Sequence, residues 1–89
     1  MNLVIIDDDK LVCQALKTII ETDEDFNVVA VGHNGHEAIE LYNENKPDII
    51  LMDIRMNEMT GIDAGEIIRK NYPNSKILYF IIKTINNLK

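Results

Sequence analysis

The sequence has a single cysteine, Cys13, no tryptophan, two prolines and four glycines in 89 residues. One cysteine excludes an internal disulfide, and with it the small secreted scaffold held by cross-links; a reducing, cytoplasmic setting is the expectation. Cys13 itself reads as a core residue of a helix. So little proline and glycine excludes collagen-like and low-complexity chains, and no repeat or linker breaks residues 1–75. No apolar run approaches the roughly 20 residues of a membrane span. No basic segment with a long apolar run opens the chain, because Asp7, Asp8 and Asp9 close the first apolar run at once. Positive charge is scarce too: nine Lys and Arg against fifteen Asp and Glu leave a net charge of −6. That balance repels phosphate backbones, argues against direct nucleic-acid binding by this chain, and invites cations. The length allows one domain with one core and a thin stability margin.

What is present is an alternation of two periods. Leu3-Val4-Ile5-Ile6 is a short apolar run, rich in β-branched residues, of the kind that forms a strand buried on both faces. From Leu11 onward the period becomes helical, with Val12, Leu16, Ile19 and Ile20 at i, i+4, i+7 and i+8 as the apolar stripe and Asp9 as N-cap. A second strand is expected over Phe26 to Val31, then a helix that starts on the capping-box-like Asn34-Gly35-His36-Glu37 and runs through Tyr42. Ile49 to Met52 forms a third strand that ends on Asp53, and a third helix spans roughly Ile62 to Asn71 before Pro73. Ile77 to Ile82 is the fourth strand. Such alternation argues for an open, parallel α/β sheet with right-handed crossovers.

Ligands of such sheets bind beyond the carboxyl ends of the strands, where strand order reverses. Asp7, Asp8 and Asp53 all stand at such ends. In a flavodoxin-like order 2-1-3-4 they converge, and three carboxylates held close are most simply relieved by a hard cation with oxygen ligands, Mg²⁺ being the natural choice. With that charge shielded, a carboxylate can act as nucleophile towards a phosphoryl group.

Val4-Ile5-Ile6-Asp7-Asp8-Asp9 and Pro47-Asp48-Ile49-Ile50-Leu51-Met52-Asp53-Ile54-Arg55-Met56, followed by Met59-Thr60-Gly61, resemble the response-regulator receiver domain of two-component signalling. The wording around Asp53 and the segment Ile67-Ile68-Arg69-Lys70 are closest to receivers of the LuxR/NarL-type class. The resemblance implies a CheY-like sheet with helices on both faces. It makes Asp53 the phosphoacceptor and places Mg²⁺ on Asp7, Asp8, Asp53 and the Arg55 backbone carbonyl. It names a sensor histidine kinase or a small phosphodonor as partner, and transcriptional control through an output domain absent from this chain as the result.

The single domain of residues 1–89 matches the family over 1–78 and departs from it over 79–89, which reads as a receiver truncated after its fourth strand. Asn57 stands where the family has proline, Thr60 where it usually has aspartate, and Ile81 where its switch Ser or Thr belongs. Neither Lys83 nor Lys89 matches the family's lysine, and Thr84 is not spaced as a switch residue. The apolar run Ile77 to Ile82 is then an edge strand open to pairing with a second copy of the chain.

Two other readings compete. A receiver-like module that is not phosphorylated would work through its surfaces alone. Ile5-Ile6-Asp7-Asp8-Asp9 is also similar to the start of haloacid dehalogenases, with Asp7 as nucleophile and Asp9 as general acid, but that leaves Asp53 unexplained. His33 and His36 read as a solvated turn rather than a metal site, and Met52, Met56 and Met59 as packing residues.

Overall fold

The computed structural model describes residues 1–82. Along the chain run β1 (Asn2–Ile6), α1 (Lys10–Ile20), β2 (Asn27–Gly32), α2 (Gly35–Asn45), β3 (Ile49–Asp53), α3 (Gly61–Asn71) and β4 (Ile77–Phe80). The strands form one parallel sheet in the order β2-β1-β3-β4, the expected 2-1-3-4 arrangement. Because β1 lies inside the sheet, every side chain from Val4 to Ile6 is fully buried, which is why its sequence is continuously apolar rather than alternating.

The helices begin on side-chain caps. Asp9 Oδ1 accepts from the backbone N–H of Leu11 and Val12 at the start of α1. Asn34 Oδ1 accepts from Glu37 N–H at the start of α2, while the Glu37 carboxylate reaches back to the N–H of His33 rather than to that of Asn34. Thr60, at the position where the family resemblance leads one to expect aspartate, caps α3 through its hydroxyl, which accepts from Asp63 N–H at 3.1 Å. A short polar side chain that accepts a hydrogen bond is what the position requires, and threonine meets it.

Helices cover both faces of the sheet, unequally. On one side α2 and α3 bury Val4, Ile6, Ile50 and Met52 together with Ala38, Tyr42, Met56, Ala64 and Ile68. On the other, α1 is the only described helix, and it packs Cys13, with Leu16 and Ile20, against Ile5, Val28, Val31 and Leu51. Tyr42, in the larger cluster, and Tyr72, packed against it, meet as a tilted pair with ring centroids 5.0 Å apart.

Three sequence expectations are corrected. Of the expected stripe of α1, Leu16 and Ile20 face the sheet beside Cys13, but Ile19 does not and is 66% exposed, and Leu11 is 75% exposed. The chain turns the small Cys13 against the sheet, where its thiol lies 3.4 Å from the Asp7 carbonyl, and Ile19 is carried to the outer side. Helix α2 continues past Tyr42 to Asn45, ending at Lys46 in a left-handed conformation (φ 42°). Strand β4 stops at Phe80, so Ile81 and Ile82 are not part of it. The expectations for Lys83, Thr84 and Lys89 fall outside the described residues.

The corrected helix face carries a prediction. Leu11→Ala should change stability by less than about 0.5 kcal/mol, as exposed substitutions do, while Leu16→Ala should cost about 2 kcal/mol. Urea midpoints of the two variants check this; equal losses would overturn this assignment of the buried helix face.

Candidate metal centre

The parallel registers of β1 and β3 place the acidic residues. Ile6 pairs with Met52, so one step further along both strands stand Asp7 and Asp53. The N–H of Asp7 donates to the Gly32 carbonyl of β2 at 3.1 Å, which carries sheet pairing one residue past β1 and fixes where Asp7 leaves it. Asp8 follows at the surface, and Asp9 turns away to cap α1. One carboxylate oxygen from each of Asp7, Asp8 and Asp53 lies within 4.8 Å of the other two. Asp7 and Asp53 are buried, at 3% and 7% exposure, and Asp8 is exposed. The cluster is thus a pocket with two walls and one open side, composed of the hard oxygen donors that divalent cations prefer.

Each buried carboxylate is oriented by a backbone donor. Asp7 Oδ1 accepts from Asp9 N–H at 2.9 Å, and Asp53 Oδ1 accepts from Arg55 N–H at 3.1 Å. Burial raises both acids above the ordinary carboxylate range. Asp7 is pushed up to about 6, first by loss of water and then by the charges of Asp53 and Asp8, against the opposing bond from Asp9. Asp53 is raised by burial and by the charge of Asp8, with the Arg55 N–H pulling the other way. Desolvation and like charge act together here, which is the arrangement a bound cation relieves.

The backbone after Asp53 is constrained by Gly61. The Gly61 N–H donates to the Ile54 carbonyl at 2.9 Å, and any Cβ at position 61 would overlap the Asp53 carbonyl oxygen. The loop between them therefore folds tightly over the end of β3 only with glycine there. Met59, in the same loop, lies against Gly35 at the start of α2, and Met56 is buried beneath it.

Of the residues expected at the site, the structure brings together Asp7, Asp8 and Asp53; the backbone of Arg55 is adjacent through its N–H. Asp9 is outside the cluster, committed to its cap, which removes the general acid that the dehalogenase-like reading requires. His33 is not a solvated turn residue. It is half-buried, and its Nδ1 is 3.0 Å from the Asp7 carbonyl, which also accepts from the Cys13 thiol at 3.4 Å. Burial and the neighbouring Asp7 charge push the Cys13 thiol up to about 11. This clasp on the Asp7 backbone could not be read from the sequence, because Cys13 and His33 come from α1 and the end of β2 and meet only after folding. His36 is exposed and takes no part.

An acidic pocket at the carboxyl edge of a parallel α/β sheet, at the strand-order reversal, defines a class of phosphate- and metal-handling signalling and transfer domains. Comparison with known proteins narrows it. The response regulator receiver domain family matches residues 3–87. The chain is 39% identical over 82 residues to the transcriptional regulatory protein DegU of Brevibacillus brevis, covering 92% of this chain and 35% of that protein. A crystal structure of a two-component response regulator of the LuxR family from Aurantimonas sp. SI85-9A1 superposes with a TM-score of 0.88 at 31% identity, covering 93% of this chain and 59% of that one. The CheX-CheY-BeF3-Mg complex of Borrelia burgdorferi superposes with a TM-score of 0.81, also at 31% identity, over 89% of this chain and 60% of that one. The chain spans about a third of the length of the curated relatives it matches first. It belongs to the response regulator receiver domain family.

The raised Asp7 gives a pH prediction. In the unfolded chain Asp7 titrates near 4, and in the folded chain near 6, so its contribution is most favourable below about pH 4 and is lost as pH rises through about 6. Asp7→Asn keeps the acceptor for Asp9 N–H and removes the charge. In the presence of a chelator it should be more stable than the wild type at pH 8 by roughly 1–3 kcal/mol, a difference that shrinks on acidification below pH 6. Chemical unfolding of both proteins at several pH values checks this; identical stability at pH 8 would mean that neither burial nor like charge opposes ionisation of Asp7.

Proposed function

We propose that this chain is the receiver of a two-component response regulator that accepts a phosphoryl group on Asp53 with the help of Mg²⁺. The observation that carries the reading is the convergence of Asp7, Asp8 and Asp53 at the carboxyl ends of two adjacent parallel strands. The donor set fits the ion: three carboxylates, one of them open to water, and a turn after Asp53 where the Arg55 carbonyl would complete the ligands. Mg²⁺ of this kind would neutralise the carboxylate repulsion and the charge on phosphoryl oxygens.

The remaining work falls to the chain's own groups. An Asp53 carboxylate oxygen attacks phosphorus, the bond to the leaving group breaks with its electron pair departing on that group, and an aspartyl phosphate remains. The Arg55 N–H holds the other carboxylate oxygen so that the attacking one stays aimed out of the pocket. Asp7, held in turn by Asp9 N–H and by the clasp on its carbonyl, supplies fixed negative charge for the cation. The donor is a sensor histidine kinase or a small phosphodonor, and the chain is a signalling domain whose only chemistry is its own phosphorylation. The setting is the cytoplasm, and the output is transcriptional control, as the name of the DegU relative states for that protein. Support for the metal comes from the CheY complex whose title names BeF3 and Mg.

One observation favours a second reading. Ile81, 46% exposed, stands where the family resemblance puts a switch hydroxyl, so an aspartyl phosphate here would lack that hydrogen bond. A receiver that signals through its sheet edge without phosphorylation is the alternative.

Intact mass after incubation with acetyl phosphate and Mg²⁺ decides between them, on protein shown by circular dichroism to be folded. The expected result is one phosphoryl adduct that disappears in Asp53→Asn and in the presence of chelator. A folded chain without an adduct overturns the phosphoacceptor reading and leaves the interaction module.

A further inference from the structure

Strand β1 ends one residue short of the acidic pocket, and the bonding of the sheet runs out there. Asp7 N–H donates to the Gly32 carbonyl, which puts Asp7 level with His33 in the register that pairs Ile6 with Gly32. A parallel ladder continued by one step would return a bond from Asn34 N–H to the Asp7 carbonyl. Asn34 has instead left the strand as the N-cap of α2, so the buried peptide after Asp7 needs a donor from elsewhere. Side chains supply it. His33 Nδ1 lies 3.0 Å from the Asp7 carbonyl oxygen, and the Cys13 thiol donates to the same oxygen at 3.4 Å.

The two donors are unequal. A thiol is a weak donor, and the Gly32 carbonyl, 3.9 Å from Cys13 Sγ, competes for its one proton. A carbonyl oxygen only accepts, so the short contact puts a proton on His33 Nδ1 and makes the neutral ring the Nδ1–H tautomer. The residue is anchored in turn, because His33 N–H donates to the Glu37 carboxylate at 2.7 Å in the first turn of α2. A line of contacts thus runs from α2 through His33 to the backbone of Asp7. In a trans peptide the C=O and the following N–H point in opposite directions. Holding the Asp7 carbonyl therefore also fixes the direction of Asp8 N–H, and with it where the chain sets Asp8, whose exposed carboxylate completes the cluster.

We infer that His33 is a positioning residue for the Mg²⁺ site: its Nδ1–H replaces the missing ladder donor and holds the Asp7–Asp8 peptide in the orientation that brings both carboxylates to Asp53. The inference rests on the Mg²⁺-dependent reading above and adds to it a residue outside the carboxylate cluster. Without that donor only the weak thiol bond opposes rotation of the peptide about the bonds that flank it. The Asp7 and Asp8 carboxylates, which repel each other and Asp53, then drift apart, and a cation has to restore their common orientation on binding. The effect of His33 therefore falls on affinity for the ion, through the direction of a backbone carbonyl.

NMR of the full 89-residue chain at pH 8 tests this, following the backbone amides as Mg²⁺ is added and the ring nitrogens of His33. The wild-type ring should carry its proton on Nδ1. His33→Ala should raise the Mg²⁺ dissociation constant roughly tenfold, the usual effect of losing a group that orients a metal ligand, while circular dichroism in chelator shows a folded chain. His33→Asn places a side-chain N–H where Nδ1–H was and should recover most of the affinity. His33→Gln carries its amide out to the position of Nε2 and should not. A purely structural loss would leave these two alike, and they decide alone if His33→Ala does not fold. Unchanged affinity in His33→Ala, equal affinities in His33→Asn and His33→Gln, or a wild-type ring protonated on Nε2 alone overturns the inference. Failure of the reading beneath it looks different: a folded wild type that binds no Mg²⁺ removes both, whereas a wild type that binds Mg²⁺ no better than His33→Ala removes this inference alone.

Discussion

Strand β1 is hydrogen-bonded on both sides, to β2 and to β3, and this double pairing sets where each acidic residue falls. A slip of one residue against β3 would send Asp7 to the opposite face from Asp53 and expose Val4 and Ile6 to water, because side chains alternate across a strand. The register is held by complete burial: Val4, Ile5, Ile6, Ile50 and Met52 have no exposed surface. The apolar interior and the charged edge are thus two ends of the same few strands. Hydrophobic burial supplies the free energy, and the edge spends part of it in holding carboxylates together.

That tension explains the geometry around the site. Buried carboxylates need donors, and Asp9 N–H and Arg55 N–H provide them from the chain immediately after each strand. Gly61 lets the loop return over β3 at a distance no side chain would allow. Cys13 and His33 occupy the Asp7 carbonyl, so the backbone that bears the carboxylate cannot tilt to relieve repulsion by moving it into water. The pocket is held open by rigid neighbours, and a cation would find its ligands already in place.

Much of this was legible in the sequence, for physical reasons that also mark where legibility stops. Continuous β-branched runs ending in aspartate identify buried parallel strands, and their order along the chain is enough to bring Asp7, Asp8 and Asp53 to one edge. Caps are equally local: Asp9 and Asn34 act on residues two or three positions away. Helix faces are a different matter, because α1 carries two apolar stripes and the sequence does not say which one meets the sheet. Ile19 looks as inward as Leu16 and Ile20 until the folded sheet selects the face that carries Cys13. The role of His33 was hidden for a similar reason, since its partner is a backbone carbonyl that only the folded sheet puts beside it. The end of β4 at Phe80 was hidden too, as Ile81 and Ile82 continue the apolar pattern without continuing the pairing.

The unequal covering of the two sheet faces bears on motion. The cluster beneath α1 is the smaller of the two, and α1 packs through three side chains where α2 and α3 lay a broad surface on the opposite side. Elements with the least buried contact open locally at a lower free-energy cost than global unfolding. Helix α1 is also the element that receives the Asp9 cap and carries Cys13, so each excursion away from the sheet loosens the Asp7 side of the pocket while the Asp53 side, backed by the larger cluster, keeps its shape. The two sides of the acidic centre thus rest on unequal foundations, Asp53 on the larger cluster and Asp7 on the smaller one beneath a single described helix.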